Sequence, residues 1–426
     1  MNAPGGRNYK RTALAVAAMA ASTYFFLRVL PCKLVSALMY MPRPYNDELV
    51  KRWLSAGDLW PGYTLQAHAY GPRKWESCFI LHPRGFWDTT RKQRNFWLVY
   101  GGNAMVALEW VSLVKAWSEG RPRREDIEGD SPAFILIDYP SYGLSAGADD
   151  APAPDSETIV ATTQAVVNSI REKHNGILRK ADDSAYAAVR SFDTDASKGS
   201  GLDLIFNGLG HSIGCAALLH YASSEARKPG GAVLSNLILS APFMSIPHVG
   251  QKLLPQLLPA LGYLPFSVYE RLTPPEQRWN NLRAAARLPP QTRIALIHGV
   301  NDEICEFHHG KRVHAVVEER MRKLGRPPPE FKMSLTAGHN DLLEIEKSWY
   351  AEQIFSVSPK FTVEGQVRAT TEVSEDEGSN ARSSPSKKEN REVQVGKPAN
   401  DNVRTRNKTL STSNDDPTEN NKDSSL

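Results

Sequence analysis

The chain has 426 residues, 41% of them hydrophobic and 23% charged, with a formal net charge of +4. That is enough apolar material for a sizeable core. The weak positive charge, with no basic block interleaved with aromatics, gives no support to nucleic-acid binding. The four cysteines lie far apart, with no Cys-x-x-Cys pair and no Cys/His cluster, so no metal or cofactor site is expected.

The first element is a basic, apolar leader. Residues 1–46 hold no acidic residue, and Arg7, Lys10 and Arg11 precede an apolar run over residues 12–30 that only Arg28 interrupts. Roughly 19 residues lie at the short end of what crosses a bilayer, and an arginine near the end of a span can snorkel. Residues 1–38 are therefore expected to be a basic segment and a single-pass membrane anchor, in contact with membrane lipid. A cleaved signal peptide is the alternative, since "AMA" at 18–20 fits a small-x-small site, but the apolar run continues past it. Arg7, Lys10 and Arg11 on one side face Arg28, Lys33 and Arg43 on the other, so the positive-inside rule gives no orientation.

Residues 39–358 read as alternating strands and helices. Strands are expected at 77–83 (SCFILHP), 95–102 (NFWLVYGG), 133–140 (AFILIDYP), 202–210 (LDLIFNGLG), 234–242 (LSNLILSAP), 293–299 (RIALIHG) and 331–338 (FKMSLTAG). These are nearly continuous apolar runs, as in strands buried on both faces. Helical stretches lie between them at 104–117, at 156–174 with Ser156 as the expected N-cap, at 213–227 and at 309–324. The alternation predicts an α/β fold with a mostly parallel sheet and helices on both faces. Residues 180–201, small and polar, are expected to be a surface insertion. Residues 359–426 have almost no large apolar side chains and mixed charge, which predicts a disordered polar tail. The Asn-x-Thr triplet at Asn407 is expected to be idle there.

The pattern Gly-x-Ser-x-Gly occurs twice, as "GLSAG" at 143–147 and "GHSIG" at 210–214. A serine nucleophile on a sharp turn needs a strand running into it and a helix starting just after it. After Ser145 come Pro152 and Pro154, which forbid an immediate helix. Ser212 has the strand before it and the helix after it, so Ser212 is the candidate nucleophile. A base and an orienting acid must follow, in the chain order Ser, Asp or Glu, His. Asp302 follows the strand at 293–299 and His339 follows the strand at 331–338, which places both at strand ends. Glu303 is the rival acid; His298, His308 and His309 are rival bases. His211 is expected to be a packing or hydrogen-bonding residue. The oxyanion hole should use the backbone N–H of Ile213 and that of Asn103, with Gly102 as the fallback.

In this arrangement the chain resembles the alpha/beta hydrolases over roughly residues 39–356, and most closely their membrane-anchored branch, which includes lysophospholipid lipases and palmitoyl-protein thioesterases. The resemblance rests on several motifs in order. Pro42, Arg43 and Pro44 match a P-x-R-P-like motif. Gly101, Gly102, Asn103 and Ala104 match a His-Gly-Asn-Ala oxyanion loop, with Gly101 where histidine is usual. "DYPSYGLSAG" from Asp138 matches a loop signature of the branch, which accounts for the second serine pattern; "IHGVNDEI" and "AGHND" match the acid and base segments. The resemblance implies a serine hydrolase. Residues 244–272, rich in Leu and Pro, lie where such folds place a cap, and an apolar cap beside an anchor points to a long-chain acyl ester or thioester substrate. A peptidase of the prolyl oligopeptidase type and an inactive scaffold are the alternatives. Oligomeric state is not readable from the chain.

Overall fold

The computed structural model describes residues 14, 16–19, 21–22, 39–60, 62–88, 93–119, 131–188, 203–229, 231–257 and 259–355. By its contacts the chain divides into Met1–Pro359 and Lys360–Leu426. The second unit, which holds most of the expected tail, lies outside the described residues, as does most of the expected anchor. Leu14, Val16 and Met19 are helical and exposed. Among the described residues no helix is long and apolar enough to cross a membrane.

Except in the last, edge strand, the apolar runs become strands because both of their faces are covered. In chain order the strands and major helices are α1 (Asp47–Ser55), β1 (Asp58–Trp60), β2 (Tyr63–Ala69), β3 (Ser77–Pro83), β4 (Gln93–Tyr100), α2 (Trp110–Glu119) and β5 (Ala133–Leu136). Then come α3 (Ser156–Ala188), β6 (Asp203–His211), α4 (Ile213–Glu225), β7 (Leu234–Ser240), α5 (Ile246–Leu257) and α6 (Phe266–Leu272). The last are α7 (Asn281–Ala285), β8 (Arg293–Gly299), α8 (Phe307–Lys323), β9 (Glu330–Ser334), α9 (Leu342–Ile345) and α10 (Lys347–Phe355). Along β4, Phe96, Leu98 and Tyr100 face one core with Ile159, Val166, Leu218 and Val317, while Trp97 and Val99 face the other with Trp110, Trp117 and Tyr350. Period-two alternation with both faces apolar is what gave these strands their unbroken hydrophobic runs.

The nine strands lie in the order β1-β2-β3-β5-β4-β6-β7-β8-β9. Strands β5, β4, β6, β7, β8 and β9 are mutually parallel. β1, β2 and β3 are joined antiparallel at one side. The chain runs from β4 outward to β5 and then back across to β6, so β4 is the switch point beyond whose carboxyl end a site forms. This mostly parallel sheet with helices on both faces is the arrangement expected of an alpha/beta hydrolase.

Two local expectations need correction. Ser156 opens α3, but the cap is Asp155, whose Oδ1 accepts from the N–H groups of Glu157 (2.9 Å) and Thr158 (2.7 Å). The expected surface insertion at 180–201 starts as a continuation of α3 to Ala188, which its polar composition had not suggested, and residues 189–201 lie outside the described residues. β1 and β2 were not expected at all.

Candidate active site

β6 runs straight into Ser212, and α4 starts at the next residue. The turn between them is tight enough to force Ser212 to φ 54°, ψ −118°, a conformation that non-glycine residues avoid. The flanking glycines are required by contact. A Cβ on Gly210 would lie 2.4 Å from the carbonyl oxygen of Gly214, and one on Gly214 would lie 2.3 Å from that of Tyr100. The second contact also seats the end of β4, and with it the Gly101–Gly102 loop, against the first turn of α4. Ser212 N–H donates to Ser240 at the end of β7 (2.8 Å), which fixes the elbow to the neighbouring strand.

Three loops at the carboxyl edge bring the expected partners to this serine. His339 Nε2 lies 3.0 Å from Ser212 Oγ, and His339 Nδ1 lies 2.7 Å from Asp302 Oδ2. All three side chains are buried. Asp302 is further fixed by the N–H groups of Ile304 (2.9 Å) and Cys305 (2.7 Å) on Oδ1. Burial alone would raise its pKa, but the hydrogen bonds from His298 and His339 outweigh burial and hold the carboxyl well below its ordinary value. Asp302 is therefore an acceptor, which makes Nδ1 of His339 the donor and turns the lone pair of Nε2 toward the serine hydroxyl.

His298 is not a rival base. Its Nε2 lies 2.6 Å from the Cys305 carbonyl and 3.3 Å from Asp302 Oδ2, so it is a second donor that steadies the acid. Glu303 is exposed, and Ser145 spends its hydroxyl on the Tyr142 carbonyl (2.7 Å). His308 and His309 sit with Glu306 at the start of α8, where their ligand atoms lie within 4.8 Å of one another. That cluster could hold a cation only in competition with Lys252, whose Nζ is 2.6 Å from Glu306.

His211 packs beside the base. Its ring centroid is 5.1 Å from that of His339, and its Nδ1 lies 3.0 Å from Ser240 Oγ, which in turn lies 2.6 Å from the Tyr350 hydroxyl. Burial, then the His339 ring, pushes the His211 pKa down to about 3. Burial raises the Cys305 thiol far above its usual pKa, and the nearby Ser212 side chain lowers it in part. No sequence signal pointed to Cys305. His298 was visible four residues before Asp302, but its role depends on how the loop folds back.

Of the two expected oxyanion donors, Ile213 lies at the first position of α4, where helix N–H groups have no partner within the helix. Gly102 approaches so closely that an added Cβ would lie 3.5 Å from Ser212 Cβ, but its own N–H is turned to Met105 Sδ (3.2 Å). Asn103 follows in a turn closed by Met105 N–H on the Gly102 carbonyl (3.2 Å). The apolar stretch at 244–272 forms α5 and α6 just past the carboxyl end of β7, and Lys252 ties it to Glu306, four residues after Asp302.

No family model matches the chain, and no curated protein matches it. Among solved structures it is similar to a monoacylglycerol lipase of Paleococcus ferrophilus, at 14% identity over 62% of this chain and 95% of that one, TM-score 0.35. It is similar to an acyl-protein thioesterase 2 of Zea mays at 15% identity over 65% and 97%, TM-score 0.31. An acylaminoacyl peptidase of Pyrococcus horikoshii is matched at 11% identity over 73% of this chain and 42% of that one, TM-score 0.40. Likenesses of this strength carry no argument about chemistry or substrate. What the chain can do rests on its own strand order, elbow and hydrogen-bonded residues.

Proposed function

We propose that the protein is a serine hydrolase that cleaves ester or thioester bonds of acyl lipids or lipidated proteins through an acyl-enzyme. The observation that carries this reading is the unbroken line from Ser212 Oγ through His339 to Asp302, set on a strained strand-to-helix turn. In the first half-reaction Ser212 Oγ attacks the acyl carbon and its proton passes to His339 Nε2. Asp302 stabilises the imidazolium through Nδ1–H. The N–H groups of Ile213 and Asn103 receive the negative charge that develops on the carbonyl oxygen. His339 then gives the proton to the departing alcohol or thiol, leaving Ser212 acylated. In the second half-reaction water adds, its proton goes to His339 and then returns to Ser212 as the free acid departs. No cofactor or metal has a step in this sequence.

The apolar α5–α6 segment at the same edge suits an acyl chain, and the leader at 12–30 is assigned to the same reading as a single-pass anchor holding the site near lipid. One experiment tests both parts. Cells expressing the full chain are treated with a fluorophosphonate probe and fractionated with a carbonate wash. Labelling is expected in the washed membranes, lost in Ser212→Ala and kept in Ser145→Ala. Label that survives Ser212→Ala removes the nucleophile; label found only in the soluble fraction removes the anchor and leaves the chemistry. Parallel assays of p-nitrophenyl esters and peptide amides separate an esterase from a peptidase.

A further inference from the structure

The loop that carries Asn103 is held from outside by the stretch of chain at residues 40–45. Tyr40 OH accepts from Trp279 Nε1 (2.9 Å) and anchors the stretch at one end. Met41 N–H donates to Asn103 Oδ1 (3.0 Å), which also accepts from the Tyr142 hydroxyl (3.2 Å). The Arg43 carbonyl accepts from Gly143 N–H (2.9 Å), and Pro44 bridges the same glycine. Tyr45 OH donates to Asp138 Oδ2 (2.7 Å) and accepts from Leu108 N–H (3.2 Å), while Asp138 Oδ1 takes Ala107 N–H (2.7 Å).

Arg43 has a particular place in this frame. Its Nη1 donates to the Ala104 carbonyl (2.9 Å), and its Nη2 lies 2.9 Å from Glu109 Oε1. The other oxygen of Glu109 takes Val106 N–H (3.2 Å). Ala104 sits at φ 64°, where a residue with a Cβ is strained and persists only if its surroundings over-determine it. The guanidinium supplies that constraint on the residue next to Asn103.

We propose that Arg43 is a positioning residue for the oxyanion loop: it holds the Asn103–Ala104 turn so that the Asn103 N–H meets the developing oxyanion. This inference rests on the hydrolase reading above. Two magnitudes separate the role from plain stabilisation. The Arg43 side chain is 54% exposed, and an exposed ion pair contributes little to folding. A lost oxyanion donor costs on the order of 10²- to 10³-fold in rate. Activity and stability should therefore part company.

The test uses full-length protein with Arg43→Gln, Arg43→Lys and Glu109→Gln. Two readouts are taken: kcat and KM on a p-nitrophenyl ester, and amide hydrogen exchange by mass spectrometry over residues 101–109. For Arg43→Gln, kcat should fall about 10- to 100-fold with KM within about threefold, the range set by partial loss of one donor. Exchange should quicken in 101–106 and stay unchanged in β6 and α4. Arg43→Lys, which keeps one charged donor for Ala104, should recover part of both. Glu109→Gln should fall between wild type and Arg43→Gln. Loop exchange that stays at the wild-type rate in Arg43→Gln would overturn the proposal, as would exchange that rises equally across the sheet. If wild-type protein neither hydrolyses esters nor takes the fluorophosphonate, the hydrolase reading fails, while the exchange result still decides whether Arg43 holds the loop.

Discussion

Asp302 and Glu303 are neighbours of the same charge, yet only one can serve His339. Asp302 is buried, 2.7 Å from Nδ1, and held ionised by two imidazoles; Glu303 points to solvent. Asp302→Asn leaves the shape but removes the acceptor that sets the tautomer of His339, so kcat should fall on the order of 10⁴-fold. Glu303→Gln should stay within about twofold, as surface changes do. His339→Ala should cost as much as Ser212→Ala, on the order of 10⁶-fold, because the members act as a unit. Steady-state rates on one ester check all four; near-normal turnover in Asp302→Asn would remove the acid from the mechanism. The three side chains were legible in the sequence because each follows a recognisable strand, and a parallel sheet delivers all strand ends to one edge. Arg43, His298 and Cys305 were not legible in those roles. Their parts depend on which loops meet at that edge, and spacing along the chain carries no record of it.

At the scale of elements, six of the seven expected strands could be read because burial on both faces writes an unbroken apolar run; β9 lies at the edge of the sheet with only Ser334 buried. β2 could not. In "YTLQAHA" only Tyr63 and Leu65 are buried, and the residues between and after them are partly or fully exposed, since this strand lies near the antiparallel side of the sheet. Such a strand alternates apolar and polar residues, and a search for continuous apolar runs passes over it. The start of α3 shows a different failure. Ser156 and Asp155 are both good capping residues, and composition cannot choose between them. The backbone geometry selects Asp155, whose carboxylate binds two of the helix's first N–H groups at 2.9 and 2.7 Å. Asp155→Ala should therefore cost about 1 kcal/mol in urea unfolding, while Ser156→Ala should change stability by no more than a few tenths. Equal losses in the two variants would return the cap to Ser156.

Across the whole molecule, burial of histidines sets how the fold meets acid. Burial lowers His68, His220 and His309 to about 4 and His211 to about 3, each from 6.5. The surroundings adjust this: Lys173 lowers His68 further, His308 and His248 lower His309, and the His339 ring lowers His211 while Asp302 raises it. Between the folded and unfolded values the unfolded chain binds the extra protons, so stability falls as pH falls. The contribution is complete above about pH 6.5 and is lost progressively down to about pH 4 for three of the groups and about pH 3 for His211. Asp138 runs the other way. Burial raises it to about 6 from 3.8, so its share of stability grows as pH drops through 6. One carboxyl shifted by about two units does not offset four histidines shifted by more, so the net slope keeps the histidine sign. At pH 5 His211 alone should cost about 2 kcal/mol relative to pH 7, the value of roughly one and a half pH units below 6.5. For a domain of about 320 residues, unfolding with about 2.1 cal/mol/K of entropy per residue, that is a fall in Tm of about 3 °C before the other three are counted. Calorimetric scans at pH 7, 6 and 5 should show Tm descending at each step. A Tm that stayed level from pH 7 to pH 5 would mean that these rings are protonated in the native state. The buried neutral His211 beside the His339–Asp302 pair would then have to be given up.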